Sequence, residues 1–213
     1  MHAPPGNTVH ANAVGRRTRD AGIAITAYAS YYRLDASEQE GVSFASILDT
    51  AVALGAPVIR VWAGSRMKEA ECPDHRKHAL DDALRIAGIA KAAGRAIAFE
   101  YHSNTFADTP ESAEAFLADA THPAIFSLWQ PPNGQSDDCC VRSLEGILAR
   151  LHHVHVFHWW PDAGTRLPLA AGEARWRRFL KLLEDKCKVA GDVDLLLEFV
   201  AGDSESQLLQ DAA

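Results

Sequence analysis

Ala96-Ile97-Ala98-Phe99-Glu100-Tyr101-His102 is the stretch on which the reading of this chain turns. Side chains alternate along an extended chain, so Ala96, Ala98, Glu100 and His102 share one face and Ile97, Phe99 and Tyr101 the other. A carboxylate on the face of two alanines, opposite a bulky apolar face, suits a strand covered by helices on one side and facing a packed interior on the other. In a barrel the Ile/Phe/Tyr set lies outside against helices, and Glu100 points into the ring, where a buried carboxylate needs a partner.

Five more short apolar runs read as parallel strands: Ile23 to Ala29, Pro57 to Trp62, Ala124 to Trp129, His153 to Phe157 and Leu195 to Val200. Between them lie stretches with helical spacing, such as Phe44, Ile47, Leu48, Ala51 and Leu54, or Leu80, Leu84, Ile86, Ala87 and Ala90. Asp108 or Thr109 before Pro110, and Asp203 or Ser204, are positioned as helix N-caps, and Gly55 and Gly94 as helix stops. This strand-helix alternation fits a (β/α) barrel or an open doubly wound sheet, and periodicity does not separate the two. With a short irregular strand near Arg166 to Ala170, seven strands are expected where eight close a ring. The chain opens with loop-like His2-Ala3-Pro4-Pro5-Gly6 and a helix from about Thr8 to Asp20, so the first strand of a barrel is missing, and Met1 reads as a possible internal start.

The 213 residues suit one domain spanning 1–213, and 47% apolar with 23% charged residues is an ordinary globular balance. A net charge of −7 without a basic cluster argues against nucleic acid. No apolar run approaches the roughly 20 residues that span a bilayer, and the opening residues do not form a signal sequence, which points to the cytoplasm. Cys72, Cys139, Cys140 and Cys187 lack metal or disulfide spacing and read as reduced thiols.

Glu198, near the end of the last strand, shares a face with Leu196, and in His153-Val154-His155-Val156-Phe157 the valines take the helix side, leaving His153, His155 and Phe157 inward. Glu100, Glu198 and His155 thus reach the carboxyl ends of three strands at similar depth, where barrel sites are assembled, and together they suit one divalent cation. Gln130 emerges at the same level as a fourth, amide ligand. Each residue also has a plain reading: a strand-end glutamate often pairs with an arginine such as Arg60, and a lone histidine is often packed in a core. His75 and His78, beside charged residues at a helix start, read as solvated, and Trp129, Trp159 and Trp160 read as rim residues that can stack on a sugar or pack in the core.

Several stretches resemble the sugar phosphate isomerase/epimerase family, the xylose-isomerase-like barrels. They are Gly22 to Tyr32, Leu54 to Gly64, Phe99-Glu100-Tyr101-His102 with Phe106 to Thr109, His153 to His158, and Leu196 to Phe199. The resemblance implies a (β/α)8 TIM-type barrel, here lacking its first strand, with a divalent metal, often manganese and alternatively magnesium, cobalt or zinc, held by Glu, Asp, His and Glu. Glu100, His155 and Glu198 match the first, third and fourth of these; the second falls on Gln130, and the histidine three residues beyond it on Asn133. The Lys-Asp that follows the strand-six histidine in the family is Phe157-His158 here. The implied activity is isomerisation or epimerisation of a sugar or sugar phosphate through an enediolate, with Glu100 and Glu198 exchanging the proton. His102, Asn133, His158, Trp62 and Arg60 are the expected substrate contacts. The alternatives are a hydrolase or dehydratase on the same barrel, or a degenerate sugar-binding protein. The expected partner is a small carbohydrate, and an unclosed ring would favour a homodimer.

Overall fold

The computed structural model describes residues 3–213, the side chains of 70–71 and 189–190 excepted. Met1 and His2 lie outside the described residues, and with them the reading of Met1 as an internal start. The chain runs α1 (Thr8–Asp20), β1 (Ala27–Arg33), α2 (Phe44–Leu54), β2 (Val58–Trp62), α3 (Arg66–Glu71), α4 (His75–Ala92), β3 (Ala96–Glu100), α5 (Pro110–Asp119), β4 (Ile125–Trp129), α6 (Asp137–Ile147) and β5 (Leu151–Val156). It continues with β6 (His158–Trp159), β7 (Arg166–Leu167), α7 (Glu173–Ala190), β8 (Asp194–Leu197) and α8 (Glu205–Asp211). Six strands form one parallel sheet in the order β1-β2-β3-β4-β5-β8, a half-barrel with helices over its outer face. This is the α/β architecture of a TIM barrel with strands wanting, and the sheet stays open between β1 and β8.

Local chemistry explains where the elements start and stop. Ser43, Ser136 and Ser204 accept from the third amide of α2, α6 and α8, and Thr109 forms a capping box with Ser112 at α5. Gly55 ends α2 at φ +85°, a left-handed conformation that glycine adopts without steric cost.

Register fixes which side chains face inward. Arg60 is beside Ala98 and Ala98 beside Phe126, while Glu100 is beside Leu128, Leu128 beside His153, and His155 beside Leu196. Neighbours in register point to the same face, so these residues line the interior. The alternate residues Ile59, Val61, Ile97, Phe99, Ile125, Trp129 and Val154 are buried on the outer face in one core with Phe44, Ile86, Phe116, Leu144 and Phe179 of the helices. Trp129 belongs to that core and not to the rim: its indole N–H donates to Ser143 Oγ of α6 at 2.9 Å, and its ring meets Trp176 and Phe179 of α7.

Three expectations are corrected. The first strand forms at Ala27–Arg33 and not from Ile23, because pairing with β2 begins at Ala27 opposite Val58 and Ile23 lies 59% exposed before it. The segment near Arg166 does not enter the ring; Arg166 and Leu167 pair antiparallel with Trp159 and His158 in a two-stranded ribbon, and Pro168, which has no N–H to give a ladder, follows at once. Among the described residues the open sheet therefore has six strands rather than seven. His75 is buried rather than solvated: its Nδ1 bonds Asp35 Oδ2 at 2.7 Å and its Nε2 accepts from Ser65 N–H at 3.1 Å, joining the loops that follow β1 and β2.

Candidate active site

The carboxyl ends of β3, β5 and β8 are neighbours or near neighbours in the sheet, separated by β4 alone, and this brings their inward side chains together. Glu100 ends β3, His155 lies one residue before the end of β5, and Glu198 follows the last residue of β8, its N–H bonded to Val156 O at 3.1 Å. One ligand atom from each of the three falls within 4.8 Å of the others. His155 Nδ1 lies 3.2 Å from Glu198 Oε2 and 3.9 Å from Glu100 Oε1. Gln130, just past β4, reaches the same point, its Oε1 being 3.1 Å from His155 Nδ1.

These separations fit a shared cation. Two oxygen or nitrogen ligands about 2.1 Å from one ion lie about 3.0 Å apart at a right angle and about 4.2 Å apart when opposite. Two carboxylates, an imidazole and an amide oxygen are a donor set for a hard or borderline divalent ion.

The two carboxylates sit in different surroundings. Glu100 is 3% exposed and Glu198 22%. Arg60, itself buried, brings Nη1 to 3.4 Å from both oxygens of Glu100, and the Trp62 indole N–H donates to Glu100 Oε2. Arg60 is held in turn by Ser30 O, which accepts from Nε and Nη2 at 3.1 Å each. Below the cluster, burial together with His155, His152 and Arg60 pushes His153 down to about 3, so it stays neutral and adds no charge to the floor of the site.

A cavity of about 600 Å³ opens above the cluster. Arg60, Trp62, Glu100, His102, Gln130, Asn133 and Glu198 all line it. Its mouth carries aromatic faces from Tyr31, Trp159 and Phe199. Of these, the sequence reading named only Trp159; the alternation along β1 would have flagged Tyr31, whereas Phe199 reaches the mouth through a left-handed φ of +46° that no pattern announces.

His158 is the substrate contact that the structure moves elsewhere. Alternation after inward Phe157 turns it outward, its ring lies against Gly172 at the start of α7, and it lines a separate hollow with Asp137, Trp160 and Arg175. Trp160 goes with it, whereas Trp159 stays at the main cavity. The four cysteines are free thiols, Cys140 on the buried face of α6 and Cys139 at the cavity wall.

The sequence profile of a family described as xylose isomerase-like TIM barrel matches residues 3–187. No curated protein matches the chain. Among solved structures, a xylose isomerase domain protein from Planctomyces limnophilus superposes with a TM-score of 0.77 at 18% identity, over 98% of this chain and 84% of that one. The probable 3-DHS dehydratase AsbF of petrobactin synthesis in Bacillus anthracis gives 0.71 at 15% identity, over 94% and 78%. A xylose isomerase-like TIM barrel protein from Mycobacterium smegmatis, solved with magnesium, gives 0.66 at 18%, over 91% and 72%. At these identities the superpositions speak for the fold.

Proposed function

The chain belongs to the xylose isomerase-like TIM barrels, and from that premise we propose that it is a divalent-metal-dependent isomerase or epimerase of a sugar or sugar phosphate. The observation that carries this reading is the convergence of Glu100, His155 and Glu198 within 4.8 Å at the floor of an aromatic-rimmed cavity. Glu100, His155, Glu198 and Gln130 would hold the ion; manganese is our first choice, followed by magnesium, cobalt or zinc. The ion would supply the positive charge that acidifies a carbon-bound proton beside a carbonyl and steadies the enediolate.

This chain's own residues do the rest. A carboxylate at the floor removes the proton, Arg60 balances the charge of Glu100, and Trp62, His102, Asn133 and Trp159 offer stacking faces and hydrogen bonds to a polyhydroxylated ring or chain. We place the protein in the cytoplasm, acting as one domain on a small carbohydrate and able to form a homodimer. No helix among the described residues is long and apolar enough to cross a membrane.

The test is a panel of aldoses, ketoses and their phosphates, incubated with Mn2+-loaded protein and followed by NMR and mass spectrometry. Product of unchanged mass is expected, and Glu198→Gln should lower kcat by two to four powers of ten with the fold intact. Full activity in that variant would sink the assignment. The likeness to a dehydratase favours one rival, a metal-dependent lyase on the same barrel. Its product would be lighter by one water.

A further inference from the structure

Glu100 and Glu198 are engaged unequally. Glu100 Oε2 accepts from the Trp62 indole, and that ring has three neighbours that fix it: His102 stacks at 4.8 Å and 24°, Tyr31 meets it edge-on at 5.8 Å, and the Arg33 guanidinium lies 5.1 Å from its centre. With Arg60 on the same carboxylate, Oε1 is the oxygen left to face His155. The Glu198 carboxylate has the His155 imidazole as its one ion-pair partner among the described residues, and it is the more exposed of the two carboxylates.

Resting on the isomerase or epimerase reading, we propose that Trp62 is a positioning residue that reserves Glu100 as a metal ligand. Glu198 is then the single proton carrier, and the site performs one-face isomerisation between neighbouring carbons rather than epimerisation. A carboxylate must present an unspent oxygen lone pair to the C–H bond it breaks. With Oε2 toward His155 and the ion, Glu198 would keep Oε1 for the C–H bond, whereas Glu100 Oε2 carries the indole N–H with Arg60 Nη1 3.4 Å away. Of the other ionisable groups lining the cavity, Glu111 and Cys139 stand on α5 and α6, and two nearer the strands are engaged elsewhere. Asp108 pairs with Arg66 at 2.7 Å, and His102 bonds Ser103 O through Nδ1 while lying flat on Trp62.

The step balances with no outside reagent. Glu198 takes the proton from the hydroxyl-bearing carbon beside the carbonyl, and the C–H electron pair becomes the C=C bond of the enediolate while charge moves to the carbonyl oxygen. A hydroxyl proton passes between the two neighbouring oxygens. Glu198 then returns its proton to the former carbonyl carbon on the same face and is regenerated. Inverting a carbon centre needs a proton delivered to the opposite face, and so a second carrier.

The decisive experiment is indole N–H NMR of the full chain titrated with Mg2+, the Trp62 resonance being assigned with Trp62→Phe, and Mg2+ binding measured separately by calorimetry. A Trp62 indole proton that stays downfield and slow to exchange at saturating Mg2+ is the expected result. If Mg2+ binds and the resonance moves to the free-indole position, Glu100 has turned both oxygens to the ion and this inference falls while the metal-dependent reading stands. If neither Mg2+ nor Mn2+ binds, the functional reading fails and takes this inference with it. Sugars turned over in D2O should interconvert as an aldose–ketose pair, with deuterium on carbon to the extent that the Glu198 proton exchanges with solvent before its return; an inverted epimer formed by the unmodified protein would also overturn the proposal.

Discussion

Gln130→Glu changes one atom of the cluster and has opposite expected effects with and without metal. The amide oxygen of Gln130 lies 3.1 Å from His155 Nδ1, which lies 3.2 Å from Glu198 Oε2, so a carboxylate at position 130 sits at most about 6 Å from that of Glu198. At an effective dielectric near 20, two like charges at that distance repel by about 3 kcal/mol, and partial protonation and side-chain movement would reduce this to roughly 1–2 kcal/mol of lost stability in the metal-free protein. With a divalent ion between the ligands the sign reverses. A neutral oxygen becomes a charged one in direct contact with the ion, and after subtracting the same repulsion a gain of roughly 1.5–3 kcal/mol is expected, a ten- to hundredfold tighter Kd. Calorimetric titration with Mn2+ and thermal unfolding with and without the ion read both halves. The wild-type protein should bind more weakly and be more stable when metal-free. If Gln130→Glu leaves Mn2+ affinity unchanged or weakens it, position 130 does not face the ion and the four-ligand geometry is wrong.

Three further outcomes follow from the surroundings of single residues. His153 is neutral in the fold down to about 3 but takes up a proton near its ordinary 6.5 when unfolded, so its stabilising effect is full above pH 6.5 and drains away as pH falls toward 3; urea midpoints of the metal-free protein at pH 7, 5 and 4 should fall less steeply in His153→Gln. An equal fall in that variant would place the acid sensitivity elsewhere. His158→Phe should leave Mn2+ affinity within about twofold and stability unchanged or slightly raised, since the buried Nδ1 of His158 has no hydrogen-bond partner among the described residues to lose; a large loss of metal affinity would return His158 to the site. Burial pushes Cys140 up to about 11, which leaves about a hundredfold less thiolate at pH 8 than an ordinary thiol, so iodoacetamide followed by peptide mapping should label exposed Cys72 long before Cys140.

What could be read from the sequence was whatever alternation controls. Between Ala96 and His102 and between His153 and Phe157, each residue's face follows from its parity, because pairing on both sides leaves a central strand no rotational freedom. The register confirms Arg60, Ala98, Glu100, His153 and His155 on one face. The failures lie where pairing is one-sided or short. The start of β1, at a sheet edge, slipped by four residues from Ile23 to Ala27, since only β2 determines where it begins. The ribbon of His158–Trp159 with Arg166–Leu167 has the composition of a strand but only two residues on each side. His75 looked solvated beside charged neighbours because nothing local shows that Asp35 and Ser65, both distant in sequence, close around it. Trp62 shares the inward parity of Arg60, and its link to Glu100 depends on the separation of two strands, which parity alone does not give.

An open sheet can still hold a defined site because of where the cluster lies in it. Glu100, Gln130, His155 and Glu198 lie at the carboxyl ends of β3, β4, β5 and β8, four consecutive strands of the sheet. Every boundary between them is a parallel ladder whose register sets relative height, and the Glu198 N–H continues the last ladder by one bond to Val156 O. The opening lies beyond that group on one side and beyond β1 on the other, bridged at its base where Thr26 Oγ1 donates to Asp194 Oδ2 at 2.8 Å. Ligand heights are thus set by main-chain hydrogen bonds that do not cross the gap. The gap's effect should fall instead on Glu198, whose strand has a ladder partner on one side only and whose neighbour Phe199 stands 53% exposed. Hydrogen exchange should accordingly find the amides of Asp194 to Glu198 opening faster than those of Ala96 to Glu100, and divalent metal, by tying Glu198 to the three inner strands, should slow the former far more than the latter. Equal protection of the two strands without metal would mean that β8 is secured by something other than its single ladder.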